Sequence, residues 1–159
     1  MKSIYGIELL DASYADIIEP FLPITHSFLG SFSSIYLFNS YEDISYLQNQ
    51  LEEYEIIDSV HHLLKLENVE YFEGSGSLND YGFKFPNQSY YVIRNMVRAF
   101  SILSGDEQEI KMALLQFDEH LLAKQGKLYV VDAHHQGLIE KIAEAYNITV
   151  SFLNLDKMV

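Results

Sequence analysis

The last third of the chain carries the pattern that most restricts what it can fold into. "KLYVVDA", residues 127–133, is an apolar, β-branched run of the kind found in a strand buried on both faces. "HQGLIEKIAEAYN" follows, with Leu138, Ile139, Ile142, Ala143 and Tyr146 at helical spacing. "ITVSFLNL", residues 148–155, then reads as a second strand. Strand, helix and strand within so few residues predict a compact β-α-β crossover with a parallel strand pair. The expected fold is therefore α/β or α+β: one globular domain over 1–159 with a mixed sheet, a C-terminal β-α-β unit and several packed helices.

Upstream, residues 89–103 place Ile93, Met96, Val97, Phe100 and Leu103 on one helical face. Ser104 with Glu107 makes a capping-box pattern, opening a helix that runs through Ile110, Ala113, Leu114, Phe117 and Leu121. "VEYFEGSGS" and "YGFKFP" read as strands joined by the loop at 74–77, and "SVHHLLKLE" fits helix or strand equally well. In the first third, "SIYGIELL" and "SSIYLFNS" are strand patterns, and "ADIIEPFLP" is a helical piece interrupted by Pro20 and Pro23. "YEDISYLQNQLEEYEIID" begins a helix with Ser40 as N-cap and Asp43 at the third position. Its apolar stripe is Ile44, Leu47, Leu51 and Tyr54. No internal repeat is visible in the sequence.

Charge narrows the function classes more than any motif does. The 23 acids and 10 bases give −13, and residues 1–64 hold ten of the acids against Lys2 alone. Affinity for a nucleic-acid backbone or an anionic membrane is built on Lys and Arg, so direct binding to either is not expected. The expected partner is a basic protein. There is no cysteine, which removes disulfides and thiol chemistry and agrees with a reducing compartment. No signal-peptide pattern and no apolar run of membrane-spanning length occurs, so a cytoplasmic location is expected.

The helix at 41–54 is the first candidate site. Glu42 and Asp43 suit the positive end of a helix dipole, but Glu52, Glu53 and Glu55 crowd the negative end, where each costs up to about 1 kcal/mol. Asp58 follows, and no Lys stands three or four residues away to compensate. With Tyr46 beside them, Glu42, Asp43, Glu52, Glu53, Glu55 and Asp58 form the expected partner-binding face; Tyr supplies rigid contact area and carboxylates supply steering. In size, charge and lack of cysteine the chain resembles the immunity proteins, small acidic inhibitors of toxins such as nucleases. The resemblance implies a non-enzymatic protein that neutralises a basic toxin domain, without a cofactor; it carries over no residue. A nucleic-acid mimic that blocks a DNA-binding protein would use the same charge.

The second candidate is "VVDAHHQG", where Asp132, His134 and His135 stand at the carboxyl end of a strand. Such a set suits a divalent metal or an acid/base pair in a small hydrolase, with Asp118, Glu119 and His120 near enough in sequence to complete a shell. The competing reading is an ordinary helix cap at Asp132. His61 and His62 fit a packed apolar run. Arg94 and Arg98, the only arginines, suit either a fastening role or a phosphate or carboxylate pair. No nucleotide loop, dinucleotide fingerprint or nucleophile elbow is present.

Overall fold

Alternation of buried and exposed side chains draws most of this chain into strands, with helices reserved for segments that carry a single apolar stripe. The computed structural model describes residues 1–71 and 77–158. In chain order these form β1 (Lys2–Leu9), α1 (Ala15–Ile18), β2 (Phe28–Phe32), β3 (Ile35–Phe38), α2 (Tyr41–Leu51), β4 (Ile57–Leu66), β5 (Glu70–Tyr71), β6 (Gly82–Lys84), β7 (Tyr90–Ile93), β8 (Val97–Ser104), α3 (Glu107–Phe117), β9 (Leu121–Gln125), β10 (Leu128–Asp132), α4 (Gln136–Ala145) and β11 (Thr149–Phe152). The fold is α+β, with two antiparallel sheets and helices packed on them. The first sheet has six strands in the order β2-β3-β1-β4-β7-β6, the second five in the order β11-β8-β10-β9-β5.

The same connectivity occurs twice. Elements β1-α1-β2-β3-α2-β4 and β8-α3-β9-β10-α4-β11 each run β-α-β-β-α-β, and each gives the strand order 2-3-1-4 within its sheet. This is the split β-α-β, or ferredoxin-like, connectivity. The first strands match in length and in the placing of the cap that follows. Both β1 and β8 are eight residues long, and each is followed one residue later by an aspartate that caps the next turn, Asp11 in one half and Asp106 in the other. Tyr5 and Ile7 face the helices of the first half, and Phe100 and Ile102 face those of the second. At the residue before the cap the halves differ. Gly105 has φ +153, and a Cβ there would stand 2.6 Å from Ile148 Cγ2, so the close approach of strand and turn requires glycine. Leu10 occupies the equivalent place in the first half and is exposed.

Several expectations are corrected by this arrangement. The parallel pair is absent because β8 lies between β10 and β11 and pairs antiparallel with both, so neither sheet is mixed. Residues 89–103 are not a helix. The aromatic and β-branched run of β7 prefers a pleated surface, and β8 alternates between two buried faces. A short 3-10 turn at Arg94–Met96 shifts the phase between them, which mimics helical spacing. The helix expected from Ser104 to Leu121 is capped instead by Asp106 and ends at Phe117, with Leu121 opening β9. "SVHHLLKLE" is strand β4. The two strands expected on either side of the loop at 74–77 are present as β5 and β6, and they lie in different sheets. Of the loop expected between them, Gly74, Ser75 and Gly76 lie outside the described residues.

Packing explains the layers. On one face of the first sheet, Ile44, Leu47 and Leu51 of α2 meet Ile7, Leu9, Tyr36 and Phe38. Fully burying those three helix side chains contributes roughly 5–9 kcal/mol before conformational entropy is charged against it. Farther along the same face, Leu64, Leu66, Tyr90 and Val92 pack on Val97, Ala123 and Val130, joining the two sheets. The opposite face of the second sheet carries Phe100, Phe117, Val131 and Ile139 against α3 and α4. The first sheet also buries Ile4, Leu37, Leu63, Phe85 and Tyr91 on its other face. There Phe32 of β2 and Phe85, just past β6, have ring centroids 5.9 Å apart, so the two edges of the sheet curl toward each other. β2 keeps an open outer edge with Phe28, Leu29 and Phe32 exposed, in a stretch, 20–41, without a single Asp, Glu, Lys or Arg.

Candidate functional site

At one end of the first sheet three connections converge. The Leu9 amide donates to Ser34 O and the Leu10 amide to Ile56 O, each at 2.8 Å. These bonds bring the hairpin between β2 and β3, the capped turn after β1, and the segment between α2 and β4 to a common rim. Asp11 belongs to the second of these, Glu52, Glu53 and Glu55 to the third, and Asp58 to the start of β4 that follows it; all five are exposed. Asp16 and Glu19 are exposed on the helical turns just beyond, and their charges add to burial in raising the pKa of Tyr36. Glu42 is exposed at the start of α2. None of the ion pairs among the described residues includes any of these eight carboxylates.

Asp11 caps its turn and Glu42 suits the first turn of α2, but local structure does not call for the charge at Glu52, Glu53 and Glu55. Glu52 and Glu53 stand at the carboxyl end of α2, where the helix dipole favours cations. Glu55 ends the following 3-10 turn in the left-handed conformation, φ 51, which costs a residue with a Cβ about 1 kcal/mol. Tyr54 was expected in the buried stripe, but the 3-10 turn rotates it off the helix face and leaves it 52% exposed. It stands among the carboxylates.

Besides Asp11, which caps the turn after β1, two of the acids in the first 64 residues serve the fold. Asp43 is only 6% exposed. Its carboxylate accepts from the backbone N–H groups of His26 and Ser27 and from the Ser27 hydroxyl, and Ser27 Oγ in turn accepts from the Ser40 amide. Burial opposes ionisation there, but the donated hydrogen bonds outweigh it and hold the pKa below its ordinary value. Asp43 thus clamps the loop before β2 to the start of α2 rather than facing a partner. Glu8 lies 2.8 Å from His61 Nε2. Tyr46 is half-buried against the α2 core, and Tyr41 packs edge-on against Tyr5 and His62.

The second candidate cluster is divided by the fold. Asp132 caps the turn before α4, accepting from the His134 amide at 2.7 Å and from Tyr81 Oη at 2.6 Å. The Tyr81 bond is the leading cause that lowers its pKa to about 2, while burial and then Asp132 push Tyr81 up to about 12. His134 Nδ1 lies 3.0 Å from the same carboxylate, with its side chain 94% exposed. His135 turns away and packs its ring against His120, centroids 5.2 Å apart, with Nδ1 buried and without a hydrogen-bond partner among the described residues. Asp118 and Glu119 are exposed. Among the described residues no group of three or more His, Asp or Glu is placed to hold a metal ion. Among them, too, no helix is long and apolar enough to cross a membrane.

Comparisons with family models, with curated proteins and with solved structures give no match.

Proposed function

We propose that the protein is a non-enzymatic binding protein that neutralises a basic protein partner, in the manner of a toxin inhibitor, through the acidic end of its first sheet. The observation that carries this reading is the set of eight exposed carboxylates in the first 64 residues, free of ion pairs with the described lysines and arginines. Charge left uncompensated at a helix carboxyl terminus and at a left-handed residue works against folding and favours a cationic surface brought from outside. Such a field raises association rates, up to about 10⁸–10⁹ M⁻¹s⁻¹ at low salt, and the exposed Tyr54 adds contact area among the acids. A toxin that attacks nucleic acid fits as a partner because it must itself be basic where it meets phosphate.

The test compares wild type with a Glu52→Lys/Glu53→Lys/Glu55→Lys variant, both immobilised and exposed to lysate of the native host at low and high salt. Wild type is expected to retain a basic protein in stoichiometric amount at low salt and to lose most of it at high salt; the variant is expected to retain none. Equal retention by the two surfaces, or retention indifferent to salt, would rule the proposal out.

A further inference from the structure

The only two arginines of the chain, in a molecule of net charge −13, line one cavity. Arg94 comes from the 3-10 turn that carries the chain from the first sheet to the second, and Arg98 from the second residue of β8. The cavity, about 370 Å³, is completed by Asn95, Gln136 at the first turn of α4, and Phe152 and Leu153 at the end of β11. That volume lies in the range of small-molecule sites.

The guanidinium groups are poorly satisfied by the protein itself. Arg94 reaches Leu155 O only at 3.5 Å and Asp156 Oδ1 only at 3.6 Å, beyond the 2.7–3.2 Å of a good hydrogen bond. Among the described residues Asp156 is the only acid lining the cavity, and with its side chain 88% exposed it is a weak competitor for the charge. Arg98 donates from Nη1 to Val97 O at 2.8 Å, and among the described residues the rest of its donor fork has no partner. Two arginine forks with the side-chain amides of Asn95 and Gln136 beside them make an oxyanion site, and Phe152 with Leu153 offers an apolar wall next to it.

We infer that this cavity binds a small organic anion, with a phosphate or carboxylate group held by Arg94 and Arg98 and an apolar body resting on Phe152 and Leu153. The strongly negative field of the whole molecule repels free anions from the rest of the surface, so an anion that binds at all must be held by short-range contacts at a site of this kind. The site lies where the chain passes from the first sheet to the second, and none of the eight exposed carboxylates lines it.

The experiment is a calorimetric titration of the full-length protein with phenyl phosphate, with benzoate and with inorganic phosphate. Arg94→Lys and Arg98→Lys variants, checked for folding by circular dichroism, are titrated in parallel. Lysine keeps the charge but loses the planar fork, so it tests bidentate recognition rather than charge alone. Saturable one-site binding of phenyl phosphate or benzoate is expected, at least tenfold tighter than inorganic phosphate and weakened at least fivefold in each variant. The better of the two aromatic probes identifies the oxyanion. If neither gives a saturable isotherm, or if both lysine variants bind as wild type does, the inference is overturned.

Discussion

The two β-α-β-β-α-β halves share a scaffold and differ in what they do with charge. The first, residues 2–66, holds ten acids against Lys2 and Lys65. The second, 97–152, holds eight acids against five bases. The first half's opening helix is broken down to a four-residue α1 and a 3-10 turn by Pro20 and Pro23, whereas α3 runs eleven residues. In the first half the sheet end collects uncompensated carboxylates; in the second the opening strand carries Arg98 into a cavity. A shared connectivity evidently fixes where strands and caps go while leaving the rim residues at liberty to take either sign.

If the halves differ in the solidity of their cores as well, matched substitutions on their opening strands will reveal it. Phe100→Ala removes a fully buried ring that touches Phe117, Tyr129 and Phe152, and is expected to cost about 3–5 kcal/mol in urea unfolding. Tyr5→Ala, at the equivalent but half-buried position, is expected to cost at least about 1 kcal/mol less. Equal losses would mean that the first half depends on its strand as heavily as the second does.

Within the first half, the division between structural and displayed acids is sharper still. Asp43→Ala leaves three part-buried donors without that acceptor and is expected to destabilise by about 2 kcal/mol. Glu52→Gln/Glu53→Gln together are expected to change stability by less than about 0.5 kcal/mol, or to raise it, because they relieve the helix dipole. A large loss from the glutamines would show that those acids hold the fold.

The second half contributes its own pH signature. The folded pKa of Asp132, about 2, lies below its value in the unfolded chain. The stability it contributes is therefore fully present above about pH 4 and is lost as the pH falls toward 2. Tyr81→Phe removes the leading cause of the shift. It is expected to destabilise by about 1.5 kcal/mol at neutral pH, by progressively less below pH 4, and to start acid unfolding at higher pH. An unchanged acid limb would assign the shift to other groups.

The smallest effect concerns His62, which occupies the place in β4 that Phe152 holds in β11, each packed on the aromatic residue of the opening strand. Burial first, and Arg94 second, lower the His62 pKa. Its favourable contribution is present above the ordinary His value near 6.5 and fades as the pH falls through it. His62→Phe is expected to shift stability by less than about 0.5 kcal/mol, with any gain over wild type growing below pH 6.5. A pH-independent difference would separate the two sites.

Much of the local structure was legible from residue spacing. The helix at 41–51, with Ser40 at its head and Ile44, Leu47 and Leu51 on its stripe, is as the spacing predicts. So are strands at β1, β3 and β10. What spacing could not show is the phase shift at Arg94–Met96, where an irregular turn between two strands reproduces a helical repeat. Nor could it show β8 slipping between β10 and β11, because that pairing joins residues about thirty apart in one direction and fifty in the other. The repeated architecture stayed hidden for a similar reason. It is conserved as connectivity, and only Ile7 with Ile102 and Asp11 with Asp106 still match by identity along the opening strands. The acid-rich segment was visible, but the diversion of Asp43 into a loop clamp was not, since its donors at 26 and 27 lie far upstream. The arginine cavity draws on three separated segments, so spacing alone could not close it.

The open edge of β2 has a bearing on how the molecule behaves in company. Unpaired backbone groups beside Phe28, Leu29 and Phe32, with no charged gatekeeper between 20 and 41, invite a like strand from a neighbouring molecule. At neutral pH mutual repulsion keeps two such copies apart, and the carboxylates of the rim thereby act as a colloidal safeguard for the strand. Titrating them toward the sequence pI of about 4.7 removes that safeguard, and turbidity should rise there first through this edge.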